Sequence, residues 1–365
     1  MLYKFLKERF IPRIKREFYS PSFKINRLLL HFVYGIFGFI SKRHNKKKNA
    51  ILVWDIRSNS VTFDFISVIF YVLNSIRSIS ISSFDVIIFI PKNTKIKPFS
   101  WNDYDKYVSS VDIKNRIQDM IIPMAHAFNC VNKIIILDDE KNVLNYISQF
   151  DVIFPRNYDP KYFYVEPIDC FKIYNKYLSK NYNTKFSYLV PSNNKSNELL
   201  ELERKLNGRK YITITVRDYG FSPSRNTSQL DIDNALLIAD KLKYHLILVP
   251  DETKNLSQYN IDPKIIISFS ARFDIDDRIN LYSNSELNLF RTSGPSFVSL
   301  FIEGTKTIIV DFCEGGPLSN EAYYKKEYNL KVGDQPYLKF GGYIFWKKKY
   351  PSYSYLDLLE KFNTL

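Results

Sequence analysis

Cysteine is scarce in this chain of 365 residues: Cys130, Cys170 and Cys313 stand far apart, are odd in number and share no Cys-x-x-Cys spacing. They support neither a disulfide framework nor a zinc site, and a reducing cytoplasm suits them best. Histidine is as rare, with 4 residues and no His-x-x-x-His or His-Glu-x-x-His pattern, which argues against a His-rich metal centre. Gly-x-x-x-x-Gly-Lys-Ser/Thr is missing, no Gly-x-Gly-x-x-Gly follows a leading strand, and Gly-x-Ser-x-Gly does not occur. A P-loop, a dinucleotide fingerprint and a hydrolase nucleophile elbow therefore have no support. The apolar run from Leu28 to Ile40 is 13 residues long, short of the roughly 20 that a membrane-crossing helix needs. Negative charge is also in deficit: 38 Asp and Glu face 52 Lys and Arg, a formal net charge of +14. Such an excess points to an anionic surface or an anionic ligand.

What is present is ordinary globular material, 45% hydrophobic and 25% charged. The length exceeds what one hydrophobic core usually organises, so two domains are expected. Residues 1–49 stand apart from them. Basic clusters (Lys4, Lys7 and Arg9; Arg13, Lys15 and Arg16; Lys42 to Lys48) flank the Leu28–Ile40 run. That is the composition of an amphipathic segment lying in the interface of an anionic leaflet. The other reading is a helix packed on the first domain, followed by a solvated lysine tail. No small-residue cleavage site follows the run, so it makes a poor secretory signal.

Residues 50–190 alternate buried-type strands with helical patterns. Ala50–Asp55, Phe84–Ile90, Lys133–Asp139 and Asp151–Arg156 are the strands, with helices expected over 62–77, 115–128 and 141–148. This is the pattern of a Rossmann-like parallel sheet. A polar stretch around Pro191 marks the boundary. Residues 191–345 repeat the alternation, with helices at 197–206, 231–242 and 276–284. The strands are Tyr211–Val216, Tyr244–Val249, Lys264–Ser268, Leu287–Phe290 and Thr307–Asp311. Residues 346–365 read as a C-terminal helix packing back on the first domain.

Parallel strands bring their carboxyl ends to one edge, where an open α/β sheet binds its ligand. In the second domain those ends carry Arg217 with Arg225 and Asn226, Asp251 with Glu252, Ser268 with Ser270, and the turn Ser293-Gly294-Pro295-Ser296. Arginine grips phosphate through parallel N–H donors, and a turn that opens a helix presents unpaired backbone N–H groups. A diphosphate is the anion that fits both. The plain alternative is that Arg217 pairs with a neighbouring carboxylate and Ser293 simply caps a helix. In the first domain, Asp55 and His126 are the candidate general bases for an acceptor hydroxyl, and Arg57, Ser58 and Asn59 line the loop after the first strand. His126, on an apolar helical stretch, equally reads as a core histidine. The pair Asp138-Asp139 fits a solvated turn as well as it fits a metal ligand, so no metal is expected.

The stretches around Arg217-Asp218, Arg225-Asn226 and Ser293-Gly294, within residues 205–312, resemble the donor domain of GT-B-type glycosyltransferases that build bacterial surface polysaccharides. The resemblance implies a fold of two Rossmann-like domains, a nucleotide-sugar donor held by the second domain and a glycan or lipid-linked acceptor held by the first. It requires no cofactor. It implies a protein peripheral to the inner face of the cell membrane, with no part for nucleic acid. Two rivals stay open: a nucleotide-sugar 2-epimerase with the same layout, and a non-catalytic basic protein binding membrane or nucleic acid.

Overall fold

A computed structural model describes residues 49–57, 59–77, 79–92, 110–156, 158–160, 189–220, 223–251, 256–312, 320–338, 341–346 and 353–365. The basic N-terminal segment, Ser58 and Glu252 lie outside the described residues. The expected α/β layout is observed: two separate, wholly parallel sheets, one of four strands and one of six.

The first sheet consists of β1 (Ala50–Asp55), β2 (Phe84–Phe89), β3 (Val131–Leu137) and β4 (Val152–Phe154), ordered β3-β2-β1-β4. Every residue of β1 is buried, because α1 (Asp64–Arg77) covers one face and α4 (Glu140–Ile147) the other. The helix expected over 115–128 is longer and irregular. It runs from α2 (Ser110–Arg116) through a π-helical turn at Ile117–Ile121 into α3 (Ile122–His126).

The second sheet contains β5 (Tyr211–Val216), β6 (His245–Pro250), β7 (Ile266–Ile267), β8 (Asn288–Arg291), β9 (Thr307–Phe312) and β10 (Gly342–Trp346), ordered β10-β9-β8-β5-β6-β7. Its helices are α5 (Asn197–Leu206), α6 (Gln229–Leu242), α7 (Ser270–Phe273), α8 (Ile275–Ser283), α9 (Pro295–Leu300), α10 (Glu321–Tyr328) and α11 (Tyr355–Thr364).

Alternation along β5 explains how a strand with three hydroxyl-bearing residues is buried throughout. Ile212, Ile214 and Val216 join Ile232, Ala235 and Ile238 of α6 in one apolar cluster. On the opposite face the polar groups are all partnered. Tyr211 Oη donates to the Leu281 carbonyl (2.8 Å), Thr213 Oγ1 donates to Asn288 Oδ1 (2.7 Å), and Thr215 Oγ1 lies 2.6 Å from Tyr282 Oη. Full burial pushes the Tyr282 hydroxyl up to about 12.

Two elements differ from expectation. β10 adds a sixth strand through Tyr343-Ile-Phe-Trp346, and the strand expected over 264–268 shrinks to two residues at the sheet edge. Among the described residues, the C-terminal helix, expected to pack back on the first domain, packs on the second. Leu358 and Phe362, one turn apart on α11, bury against the α6 cluster beside Phe345, and Lys306 Nζ sits 4.6 Å from the Phe362 ring centre. The stripe on α11 thus satisfies itself against the second domain's own outer helix.

The domains are joined by shared apolar packing. Leu189 bridges Phe128 and Ile302, and Phe301 stacks edge-on to Phe70 at 5.2 Å, so one apolar cluster runs from α1 into α9.

Candidate functional site

The order of the second sheet puts a topological switch point between β5 and β8. The chain leaves β5 for β6 and β7 on one side, then returns to β8 on the other. Connections part in opposite directions there, so the carboxyl ends of β5 and β8 frame a crevice. Arg217 follows β5, and Arg291 ends β8, with Thr292 and Ser293 after it.

The loop between β5 and α6 is tied into this crevice. Its two ends hold each other: Arg217 N donates to Thr227 Oγ1 (2.9 Å), and Thr227 N donates to the Arg217 carbonyl (2.8 Å). The Arg217 guanidinium donates to Asn226 Oδ1 and lies 5.7 Å from the Tyr219 ring centre. Asn226 Oδ1 also accepts from Tyr219 N at 3.1 Å. Arg225 sits on a short 3-10 turn, Pro223–Arg225, and its Nε donates to the Thr292 carbonyl at 2.9 Å. Arg291 Nη2 returns the contact, donating to the Ser224 carbonyl at 3.2 Å. Arg225 and Arg291 therefore clasp each other's neighbouring backbone, and Arg217 is tied to the same loop through Asn226.

Arg291 was not among the residues selected from the sequence. β8 is only four residues long, and its terminal arginine has no special look; the signal that singles it out is strand order. Ser293 and Ser296 are both buried, and Ser296 Oγ donates to the Ser293 carbonyl at 2.7 Å, closing the turn on itself. Gly294 is where the first domain touches. A Cβ there would lie 2.7 Å from Phe63 Cδ2. Phe63 also lies 5.3 Å from the Arg278 guanidinium carbon. The loop after β1 thus rests on the carboxyl edge of the second sheet, and the two edges face each other.

Asp251 is drawn to a different partner. Its Oδ1 accepts from Arg278 Nη1 at 3.3 Å, and Arg278 is itself buried, donating to the carbonyls of Ala271 (2.7 Å) and Arg272 (3.1 Å). Ser270 N donates to Glu198 Oε1 at 2.9 Å. Neither Asp251 nor Ser270 bonds to the arginine loop in the contacts described. Of the Asp-x-Asp stretches, Asp231-Ile-Asp233 and Asp274-Ile-Asp276 are helix starts, Asp231 completing a capping box with Ser228 and Asp274 capping α8, while Asp103-Tyr104-Asp105 lies outside the described residues.

In the first domain, the switch point between β1 and β4 is closed by a buried ion pair. Asp55 is 0% exposed. Its Oδ1 accepts from Arg57 N and Nε (both 3.0 Å), and its Oδ2 from Arg57 Nη2 and Tyr158 Oη (both 2.7 Å). Arg57 extends further to Glu140 Oε1 (3.0 Å) and the Pro160 carbonyl (2.7 Å), and lies 4.7 Å from the Phe89 ring centre. Burial works against the Arg57 charge, but its bonds to Asp55 and Glu140 outweigh it and hold the guanidinium above its ordinary value. Burial and the Asp55 charge push the Tyr158 hydroxyl far above the usual phenol range. Asn59 Nδ2 donates to the Asp55 carbonyl at 3.0 Å. An acceptor hydroxyl would have to displace Arg57 or Tyr158 to reach Asp55, so this geometry makes the pair a structural lock on the sheet end.

His126 is exposed at the end of α3, so the core-histidine alternative does not hold. It lies close enough to Asp276 of α8 to draw that carboxyl down, against burial and the neighbouring Asp274 and Asp277, which together keep it above its ordinary value.

Compared by sequence, the chain matches no protein-family model and no curated protein. Compared by structure, it is similar to a glycosyl transferase family 9 protein from Veillonella parvula. The TM-score is 0.52 at 10% identity, over 88% of this chain and 98% of that one. The ADP-heptose lipopolysaccharide heptosyltransferase II of E. coli aligns with a TM-score of 0.46 at 10% identity, over 87% of this chain and 98% of that one. The first of these likenesses shows the fold alone, which is GT-B-like, with two Rossmann-like domains.

Proposed function

We propose that the chain transfers a sugar from a nucleotide-sugar donor to a glycan or lipid-linked acceptor. The observation that carries this reading is the meeting of Arg217, Arg225 and Arg291 at the switch point of the second sheet, opposite the first domain. Glycosyl transfer leaves negative charge on a departing diphosphate, and fixed guanidinium groups stabilise charge as it develops. A bond from a guanidinium to a protein acceptor, such as Arg225 to the Thr292 carbonyl, fixes the plane of that guanidinium. The acceptor would enter from the side of Phe63 and the loop after β1. Of the residues expected to touch it, Arg57 and Asn59 are engaged with Asp55, and Ser58 lies outside the described residues.

The direct test is thermal stability of the full chain against UDP-, GDP-, CMP- and ADP-linked sugars. A ligand at a hundred times its dissociation constant should raise stability by about 2.7 kcal/mol, and one nucleotide class should do so. Nuclear magnetic resonance of that donor incubated with the protein alone then separates transfer from epimerisation, because an epimerase would convert it without an acceptor. No stabilisation by any donor would refute the reading.

The basic segment before residue 49 fits an acceptor held at a membrane surface, and we assign it the task of keeping the enzyme on an anionic leaflet. Among the described residues, no helix is long and apolar enough to cross a membrane. Full-length protein should sediment with vesicles containing phosphatidylserine and be released by added salt. Lys46, Lys47 and Lys48 changed together to Gln should weaken this by about 3 kcal/mol, at about 1 kcal/mol for each basic residue near the surface. Equal binding to neutral vesicles would remove the electrostatic part of the proposal.

A further inference from the structure

We propose that Tyr353, Asp231 and Arg291 form a positioning relay through which the segment leading into the C-terminal helix sets the arginine loop. The proposal rests on reading the β5–β8 crevice as the diphosphate site, and it adds residues outside that site on which its geometry depends.

Asp231 lies at the centre. It is 5% exposed, and its two oxygens serve different masters. Oδ2 accepts from Ser228 N (2.6 Å) and Ser228 Oγ (2.7 Å), the local capping contacts of α6. Oδ1 accepts from the Tyr353 hydroxyl and lies 3.7 Å from Arg291 Nη1. Helix capping alone would use only the first set. The second connects a residue just before α11 with the arginine at the end of β8.

From Arg291 the relay reaches the loop by a reciprocal clasp. Arg291 Nη2 donates to the Ser224 carbonyl, and Arg225 Nε donates to the Thr292 carbonyl. Each arginine therefore holds the backbone beside the other. If Arg291 swings, the turn carrying Arg225 loses its anchor on one side. Asp231 fixes Arg291 by charge and Tyr353 fixes Asp231 by a hydrogen bond, and this order of contacts defines the relay. A small cavity lined by Thr215, Thr227, Asp231, Arg291 and Tyr353 adjoins these groups. Apolar residues, Ile214, Leu289, Val310 and Leu358 among them, line the rest of it.

The test uses the full chain with inorganic pyrophosphate and UDP as probes, and amide hydrogen exchange of residues 217–227 as a readout independent of any ligand. Tyr353→Phe should speed exchange in this loop and weaken pyrophosphate binding by about tenfold, the size of one hydrogen bond to a charged group. Arg291→Lys, which keeps the charge but not the fork, should do the same. The two changes together should weaken binding by less than the product of their separate effects, because they break one connected chain. Phe362→Ala loosens α11 through packing away from that cavity, and should lower the melting temperature without changing loop exchange at temperatures where the protein is folded.

Unchanged loop exchange in Tyr353→Phe would overturn the relay, as would equal loosening by Phe362→Ala. Failure of the two readings can be told apart. If wild-type protein binds neither probe yet Tyr353→Phe loosens the loop, the diphosphate reading fails and the relay stands. If wild-type protein binds and Tyr353→Phe alters neither exchange nor affinity, the relay fails and the diphosphate reading stands.

Discussion

Arg57→Met should lower stability by about 3–5 kcal/mol, the usual result of removing one partner from a buried ion pair. The Asp55 carboxylate would keep Tyr158 Oη and the Arg57 backbone N–H as donors but lose Nε and Nη2. A fully buried carboxylate held by two neutral donors lacks the charge that compensated its removal from water. Methionine keeps a side chain of similar length, but the guanidinium over the Phe89 ring goes, so the lost cation–π contact is part of the effect. Adding Asp55→Asn to Arg57→Met removes the stranded charge, and the double variant should recover much of the stability. Urea unfolding of the four proteins gives the coupling energy directly. A coupling near zero would mean that water reaches the pair and that Asp55 retains access to solvent, reopening its role as a base.

Asp55 also shows where sequence reading stops. Its position at the carboxyl end of a buried strand was legible, and that position is shared by structural and catalytic carboxylates. The spacing Asp55-Ile56-Arg57 held a clue, since two residues past a strand end suffice for a guanidinium to fold back onto the carboxylate. Tyr158 and Pro160, which complete the enclosure, lie more than a hundred residues away along the chain, and nothing local announces them. The same limit explains α11. Leu358 and Phe362 declare a buried stripe by their spacing, but a stripe does not say which surface will cover it, and the apolar cluster shared by α6 and the second sheet did.

The fold was legible because its strands are unambiguous. Tyr211–Val216 is β-branched or aromatic throughout, and no helix would hold such a run without losing side-chain freedom. Strand order was not legible. Only the order β8-β5-β6 brings Arg291 beside Arg217, although 74 residues separate them. The arginines after β5 could be selected from sequence because two of them follow one strong strand within ten residues, whereas Arg291 ends a weak one. Asp251 was grouped with them on position alone. The intervening Arg278, from the middle of α8, claims it instead.

Arg225→Ala should weaken binding of the preferred nucleoside diphosphate by on the order of ten- to a hundredfold, the range for a lost hydrogen bond to a charged group with some loosening of the loop. Arg225→Lys should recover only part of this. Lysine restores the charge, but one ammonium cannot both donate to the Thr292 carbonyl as Nε does and present a fork to phosphate oxygens. Arg217→Ala should affect more than the ligand. Its guanidinium holds Asn226, and Asn226 in turn accepts from Tyr219 N, so the loop would loosen even without nucleotide. The two variants should therefore differ in a ligand-free measurement: melting temperature falls further for Arg217→Ala than for Arg225→Ala. Calorimetric titration at two salt concentrations completes the argument. If Arg225 meets phosphate, the wild-type affinity falls with salt more steeply than that of Arg225→Ala, because the variant has one fewer charge to screen. Equal affinity and equal salt dependence in the two proteins would place the diphosphate away from the β5–β8 crevice and leave the arginine clasp as a structural feature of the sheet edge.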